Sequence, residues 1–206
     1  GLSVHGDDFV AVGAEADLQE VKDILAKRYK IKVEHLGAGK HEQCEVRILN
    51  RIVRWEDEGI RLEADPRHAE MAIRHFELED AKESKVPGSK PPKFEKGYKQ
   101  IVDIDDEQEG DDSELGRQDA TSHRSIVARY NYLAPDRTDM QFATKEVVRT
   151  MSSPTLGDNK KAEKIARYLL GRPRLVIKYD WTTPIDTLSV YSDSDWAGCG
   201  VTRKST

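Results

Sequence analysis

The sequence is poor in cysteine and has no long apolar run. Its two cysteines, Cys44 and Cys199, lie far apart and lack a CxxC spacing. A disulfide framework is therefore not expected, and an intracellular setting, cytoplasmic or nuclear, fits better. No stretch approaches the roughly 20 apolar residues that a membrane span needs, and no signal peptide is visible, so no membrane partner is expected.

The charge of the chain is unevenly distributed. The net charge is -5, yet eight of the twelve residues 103–114 are Asp or Glu and none is Lys or Arg. Without this run the remainder has a net charge of -5 + 8 = +3. The negative net charge of the whole chain therefore does not exclude a nucleic-acid partner. We interpret the acidic run itself as a solvated segment rather than a binding site for a basic partner.

The first residues predict a β-hairpin. Apolar strands over residues 2–5 and 9–12 flank Gly6, Asp7 and Asp8, which are residue types that turns prefer. Because Gly1 is not an initiator methionine and the first strand begins at once, we expect that the natural chain starts upstream.

A helix and further strands are predicted after the hairpin. Apolar residues spaced by three and four predict a helix over residues 17–29, and Ile31 and Val33 alternate as a short strand. Two strands, 45–55 and 60–63, are predicted next, with a bulge where two apolar residues adjoin in the first of them.

From residue 65 onwards, capping residues and apolar spacing predict four helices. Asp65 and Pro66 supply the N-cap and the first turn of a helix that reaches about Phe76. Three later helices are predicted by apolar residues at helical spacing, in the sets Ile126/Tyr130/Leu133, Met140/Ala143/Val147/Met151 and Ala162/Ile165/Leu169. For the third of these, Asp158 is a candidate cap, and Gly171 and Pro173 mark the end. Strands at residues 175–179 and 188–192 are predicted to begin a new sheet.

These patterns predict an α/β (α+β) chain with four parts. Residues 1–83 form a β-rich opening portion and residues 84–119 a disordered linker, first rich in Pro and Lys and then acidic. Residues 120–174 form a helical region, and residues 175–206 the start of another sheet.

The pair Asp7 and Asp8 is the first candidate for chemistry. Adjacent carboxylates after a glycine offer hard oxygen ligands to Mg²⁺, and a two-metal site for nucleotidyl transfer would need a further carboxylate from another strand. An ordinary turn fits the same three residues equally well.

Four blocks of the sequence resemble copia-type LTR retrotransposon Pol polyproteins. VHGDDFVAV (4–12) looks like the hairpin of the reverse transcriptase, and SIVARYNYLA (125–134) and IARYLLG (165–171) look like blocks of the connection region. YSDSDWAGCGVTRKST (191–206) resembles the start of the family's ribonuclease H over sixteen consecutive residues. The resemblance implies the C-terminal part of a reverse transcriptase for residues 1–83, a connection region for 120–174 and a truncated ribonuclease H-like start for 175–206.

The resemblance also implies site residues and ligands. Asp7 and Asp8 would be the second and third carboxylates of the polymerase metal site, and Asp193 the first of ribonuclease H, whereas Asp195 and Trp196 would be structural. The implied cofactor is Mg²⁺, with Mn²⁺ as a substitute. The implied partners are an RNA template with a DNA primer, or an RNA/DNA hybrid, bound by the parent polyprotein.

The chain departs from the family at several positions. His5 and Gly6 stand where the family has tyrosine and an aliphatic residue, and Arg137, Thr138 and Asp139 stand in place of its "RPD". These departures suggest a decayed copy.

Basic residues on and after the third predicted helix could contact a phosphate backbone. They are Lys160, Lys161, Lys164 and Arg167 on the helix, with Arg172 and Arg174 beyond it. A solvated helix face is the preferred interpretation, because no exposed aromatic platform is evident beside them.

The leading hypothesis is thus a fragment of a retrotransposon polymerase and ribonuclease H polyprotein, inactive by itself. The first rival is a non-catalytic nucleic-acid-binding or scaffold remnant of a decayed element, and the second is a gene-model artefact with no activity.

Overall fold

A computed structural model describes residues 1–88, 93–94, 100–101, 111–182 and 187–192. This part of the chain combines antiparallel strands with α-helices, so the predicted α+β class is confirmed. None of its helices is long and apolar enough to cross a bilayer. In chain order the elements are β1 (Leu2–His5), β2 (Asp8–Ala11), α1 (Glu15–Ala26), β3 (Glu45–Ile48), β4 (Arg51–Glu56), β5 (Gly59–Glu63), α2 (Pro66–His75), β6 (Lys93–Phe94), β7 (Gln100–Ile101), α3 (Arg117–Leu133), α4 (Gln141–Val148), α5 (Leu156–Gly171) and β8 (Val176–Asp180).

The opening hairpin forms as predicted, with a tighter turn. His5 pairs with Asp8, which leaves only Gly6 and Asp7 in the loop. Gly6 has a φ of +63°, and a glycine with positive φ at the first central position is typical of a type II′ turn. Asp8 is therefore the first residue of β2 and not, as predicted, a turn residue.

Helix α1 lies at the surface beside the hairpin. None of its residues is fully buried. Tyr29, placed in the helix by its spacing, lies just beyond the helix end, with its ring centroid 6.4 Å from that of Phe9. The strand predicted at Ile31 and Val33 is wrong, because the segment is irregular and no described strand pairs with it.

A four-stranded antiparallel sheet has the order β3-β4-β5-β8. The strand predicted over residues 45–55 is a hairpin instead. Leu49 and Asn50 both have positive φ, 48° and 65°, as the two central residues of a type I′ turn require. Ile52 and Val53 lie in regular register within β4, so the predicted bulge is also wrong.

The chain returns to this sheet after α5. The predicted strand at residues 175–179 is confirmed as β8, but it pairs antiparallel with β5 and does not begin a new sheet. The strand predicted at residues 188–192 is wrong, since residues 187–192 are irregular and Leu188 and Tyr191 are exposed. Strand propensity without a neighbouring strand leaves the backbone hydrogen bonds unpaired.

The hydrophobic core lies between α2, α3, α4 and α5, and all four helices were predicted. Every residue of the three predicted apolar sets packs in it, most of them fully buried. The Asp65 carboxylate caps α2 by accepting a 3.1 Å bond from the Arg67 amide. In α5 the N-cap is Thr155, and Asp158 completes a capping box three residues later. The helix ends at Gly171, as predicted.

The segment predicted as a linker, residues 84–119, contains structure where it is described. β6 pairs with β7, and α3 already begins at Arg117. The Gly157 amide donates to the Asp111 carbonyl at 2.9 Å, and the Leu115 amide to the Pro154 carbonyl at 3.0 Å. Residues 89–92, 95–99 and 102–110 of this segment lie outside the described residues. The boundaries between the four predicted parts stay predictions.

Candidate functional site

The Asp7/Asp8 pair lies at the tip of the opening hairpin. Side chains alternate along a strand, so the register places Asp8 on the face of His5, and Phe9 and Val4 on the opposite face. Phe9 is the residue that approaches Tyr29. Asp8 therefore points away from the packed side of the hairpin, and both carboxylates are exposed to solvent.

Gly6 explains one departure from the family pattern. Its φ of +63° lies in the left-handed region, which glycine adopts without the steric cost that other residues meet. The glycine that replaces an aliphatic residue thus fits the tight turn, and the turn brings Asp7 to the most protruding point of the hairpin.

Within the described part of the chain, the Asp7/Asp8 pair has no further metal-ligating side chain beside it. No group of three or more His, Cys, Asp or Glu side chains comes together there. Carboxylate oxygens suit Mg²⁺ chemically, but that ion is usually held by several oxygens together. Asp193, predicted as a second metal site, lies outside the described residues, as do Asp195 and Trp196.

The basic residues of α5 are engaged in ion pairs. Lys160 lies 3.6 Å from the Glu163 carboxylate, Lys161 lies 3.2 Å from Asp158, and Arg167 lies 2.8 Å from Glu163. These pairs join residues one helical turn apart and stabilise the helix. They also offset much of the positive charge that a phosphate backbone would meet. The assignment of Lys160, Lys161, Lys164 and Arg167 to nucleic acid stays a prediction.

A buried arginine behind the end of α5 was not predicted to have a role. Arg137 is 2% exposed, and its Nη2 donates to the Arg172 carbonyl at 2.9 Å and to the Asp139 carboxylate at 2.8 Å. The Tyr168 hydroxyl donates to the same carboxylate at 2.8 Å. The arginine and the aspartate of the family's "RPD" therefore make contacts, whereas Thr138 between them is exposed.

An open groove of about 370 Å³ lies beside this network. It is lined by Asp139, Tyr168, Gly171, Arg172, Pro173, Arg174 and Leu175. The Arg172 guanidinium lies 5.7 Å from the centre of the Tyr168 ring, and Arg174 is paired with Glu63. The cations of the groove are therefore already engaged with protein groups.

Glu63 links the sheet to the chain that leaves α5. Its carboxylate accepts bonds from Arg174 at 2.7 Å and from Arg54 at 2.9 Å. The Arg174 hydrogen bond, assisted by Arg54 and opposed by burial, lowers the pKa of Glu63 from 4.5 to about 2. This ion pair fastens β5 to the segment before β8.

The comparisons with known proteins agree with the resemblance in the sequence. The chain is 34% identical over 88 residues to an uncharacterized mitochondrial protein of Arabidopsis thaliana, covering 43% of this chain and 36% of that protein. It is 37% and 35% identical over 82 residues to retrovirus-related Pol polyproteins from the Arabidopsis thaliana transposons RE1 and RE2. Each match covers 39% of this chain and 5% of the polyprotein.

No family model matches the chain, and no solved structure shows significant similarity to it. Two of the three relatives are nevertheless Pol polyproteins of transposons, the class of protein that the four sequence blocks resemble. Over 39% of its length the chain is thus a homologue of the retrovirus-related Pol polyproteins of transposons.

Proposed function

We propose that this chain is part of a copia-type retrotransposon polyprotein with RNA-directed DNA polymerase and ribonuclease H activities. The observation that carries the proposal is the exposed Asp7/Asp8 pair at a type II′ hairpin tip, in a chain homologous to Pol polyproteins. In the complete enzyme, Asp7 and Asp8 hold a divalent cation, Mg²⁺ or Mn²⁺. Asp193 serves the ribonuclease H site in the same way.

The fit of the metal rests on the chemistry of the donors. Asp7 and Asp8 supply hard, anionic oxygens, and their side chains are unobstructed. Bound cations would activate the primer hydroxyl and offset the charge on the leaving pyrophosphate. Because the described residues offer no third carboxylate at the hairpin tip, we propose that the chain by itself is inactive.

The alternative function is a non-catalytic nucleic-acid-binding or scaffold role in a decayed element. The lack of a cluster of three acids in the described residues favours it. The two functions differ in whether Asp7 and Asp8 are needed for phosphoryl transfer.

A chimeric enzyme tests the proposal. The whole chain, from its hairpin to its ribonuclease H-like block, would replace the equivalent stretch of the Pol polyprotein from transposon RE1, and template-directed nucleotide incorporation with Mg²⁺ would be measured. Asp7→Asn or Asp8→Asn should lower the rate by at least about a hundredfold, because a metal ligand is lost. The matched control is Asp57→Asn, an exposed carboxylate in the turn between β4 and β5, which should leave the rate unchanged.

The same chimera separates the two activities. Asp193→Asn should abolish degradation of hybrid RNA and leave nucleotide incorporation intact. An active chimera that tolerates Asp7→Asn and Asp8→Asn would instead favour the non-catalytic alternative.

A further inference from the structure

Two clusters of Lys and Arg residues differ in the number of acidic residues beside them. On α5, Lys160, Lys161 and Arg167 are paired with acids of the same helix. Residues 27–32, which follow α1 and read KRYKIK, contain four cations and no acid. We call these residues the basic segment.

Most cations of the basic segment are free to meet a ligand. Lys32 lies 2.6 Å from the Glu34 carboxylate, and this pair is largely exposed. Among the described residues, Lys27, Arg28 and Lys30 have no ion-pair partner and are exposed. Uncompensated positive charge at a surface attracts polyanions.

An exposed aromatic residue lies within the basic segment. Tyr29 is 56% exposed, and the neighbouring Phe9 is 38% exposed, with 6.4 Å between the ring centroids. Cations interleaved with an exposed aromatic ring are the combination that binds single-stranded nucleic acid, because the cations follow phosphates while a base stacks on the ring.

Helix electrostatics explains only part of this composition. Lys27 is the C-cap of α1 and Arg28 follows it, and cations there are favourable beside the negative end of the helix dipole. The dipole effect falls off within a turn, so it does not explain Lys30 and Lys32. Nor does it explain why Tyr29 is exposed.

We propose that the basic segment binds single-stranded nucleic acid, with Lys27, Arg28, Lys30 and Lys32 near phosphates and Tyr29 stacked on a base. The inference rests on the proposed function only for the choice of a nucleic acid as ligand. It requires neither metal binding nor catalysis, so the chain as it stands can be tested.

The experiment is fluorescence anisotropy with labelled oligothymidylate as the probe. In one variant Lys27, Arg28, Lys30 and Lys32 are all changed to Gln, and binding is followed from about 50 to about 200 mM salt. At the lower salt concentration the affinity should fall by at least about tenfold. The slope of the logarithm of affinity against the logarithm of salt concentration should become less steep by up to about 3, since each phosphate contact with a single strand contributes about 0.7.

A charge-matched control changes four scattered, exposed cations to Gln, namely Arg47, Lys82, Lys85 and Arg117. This control has the same net charge as the first variant, and its affinity should change less than twofold. Tyr29→Ala should weaken binding by about fivefold or more, and Tyr29→Phe should preserve it, because a phenylalanine ring still stacks. Thermal unfolding of every variant shows whether the fold is retained.

Several outcomes would overturn the proposal. They are the absence of oligothymidylate binding by the unmodified chain, an equal loss in the scattered control, and a loss seen only when Lys160, Lys161 and Arg167 are changed. Competition by polyglutamate as effective as that by unlabelled oligothymidylate would show a general polyanion surface instead. Failure of the chimeric polymerase would leave these results unaffected, so the two proposals fail separately.

Discussion

Arg137 and Asp139 form a bidentate ion pair next to the end of α5. Arg137 Nε and Nη2 donate to the two carboxylate oxygens of Asp139 at 3.0 and 2.8 Å. Arg137 also holds the Arg172 carbonyl, and Asp139 accepts from the Tyr168 hydroxyl. One pair of side chains therefore joins the start of α4 to the C-terminus of α5.

Removing either Arg137 or Asp139 should lower the free energy of unfolding. Arg137→Ala leaves the Asp139 carboxylate and the Arg172 carbonyl without their donor, and a broken buried pair typically costs about 3–5 kcal/mol. Asp139 is 20% exposed in its side chain, so we expect a loss at the lower end, about 3 kcal/mol in the free energy of unfolding. Urea denaturation measures it.

Thr138→Ala is the control for that prediction. Thr138 lies between the two residues and is exposed, and substitutions at such positions usually change stability by less than about 0.5 kcal/mol. Equal losses for Thr138→Ala and Arg137→Ala would mean that the turn, and not the ion pair, carries the stability.

Helices were predictable from this sequence because their signals are local. Ile126, Tyr130 and Leu133 share one face by spacing alone, and the capping residues lie next to the helix ends. The role of Arg137 was not predictable, because its partners include the carbonyl of Arg172, which is distant in sequence. Only the folded chain brings them together.

Strands were predicted less well, because a strand is defined by its neighbour. β8 was located to within one residue, yet its pairing with β5 depends on the packing of the helices between them. The turn at Leu49 and Asn50 carries a single weak signal, the tolerance of asparagine for positive φ. At the candidate site, Asp7 and Asp8 were placed on a hairpin correctly, whereas the exposure of the basic segment and the ion pairs of α5 required the structure.

Glu63 should make stability depend on acidic pH. Its pKa in the folded chain is about 2, below the ordinary value of 4.5, so its contribution is present above pH about 4.5 and is lost as the pH falls towards about 2. Glu63→Gln should destabilise the chain most above pH about 4.5, and the difference from the unmodified chain should shrink on acidification. Urea denaturation across this range measures it.

The control for Glu63 is Glu70→Gln on α2. Glu70 forms only an exposed pair with Arg74 at 3.6 Å, and such pairs contribute little. If the gap between Glu63→Gln and the unmodified chain stays constant with pH, the low pKa of Glu63 is wrong.

His123 should make stability depend on pH nearer neutrality. It is 1% exposed, its Nδ1 lies 3.2 Å from the Asn159 amide oxygen, and its Nε2 has no hydrogen-bond partner among the described residues. Burial lowers the pKa of His123 below 6.5; Asn159 and Asp158 oppose this shift, and Arg124 and His75 reinforce it. Protonation would place an unpartnered N–H in the interior.

The direction of this pH dependence follows from the lowered pKa of His123. The contribution of neutral His123 is fully present above pH about 6.5 and is lost as the pH falls below that value. His123→Asn, whose amide can replace Nδ1, should lower stability at neutral pH and flatten its decline towards acid. The control is His41→Asn at an exposed position, which should leave the pH profile of the melting temperature unchanged. If His123→Asn also leaves this profile unchanged, the prediction for His123 is wrong.

The attachment of β8 to the sheet should depend on Gly59. A Cβ atom at this position would lie 2.9 Å from the Asp180 Cα and closer still to the Tyr179 carbonyl oxygen. Both atoms belong to the backbone, so β8 must move to make room. Gly59→Ala should lower the free energy of unfolding by about 1–3 kcal/mol, the usual cost of overpacking.

The loss should be localised, which distinguishes it from general destabilisation. Trp181 follows β8, and its ring centroid lies 4.5 Å from that of Trp55, so displacement of β8 should alter tryptophan fluorescence. Amide exchange should accelerate in β8 while α5 stays protected. Gly13→Ala is the matched control, since a Cβ there meets no atom closer than 3.9 Å. Faster exchange spread evenly over β8 and α5 would show that Gly59 supports the whole fold and not this one junction.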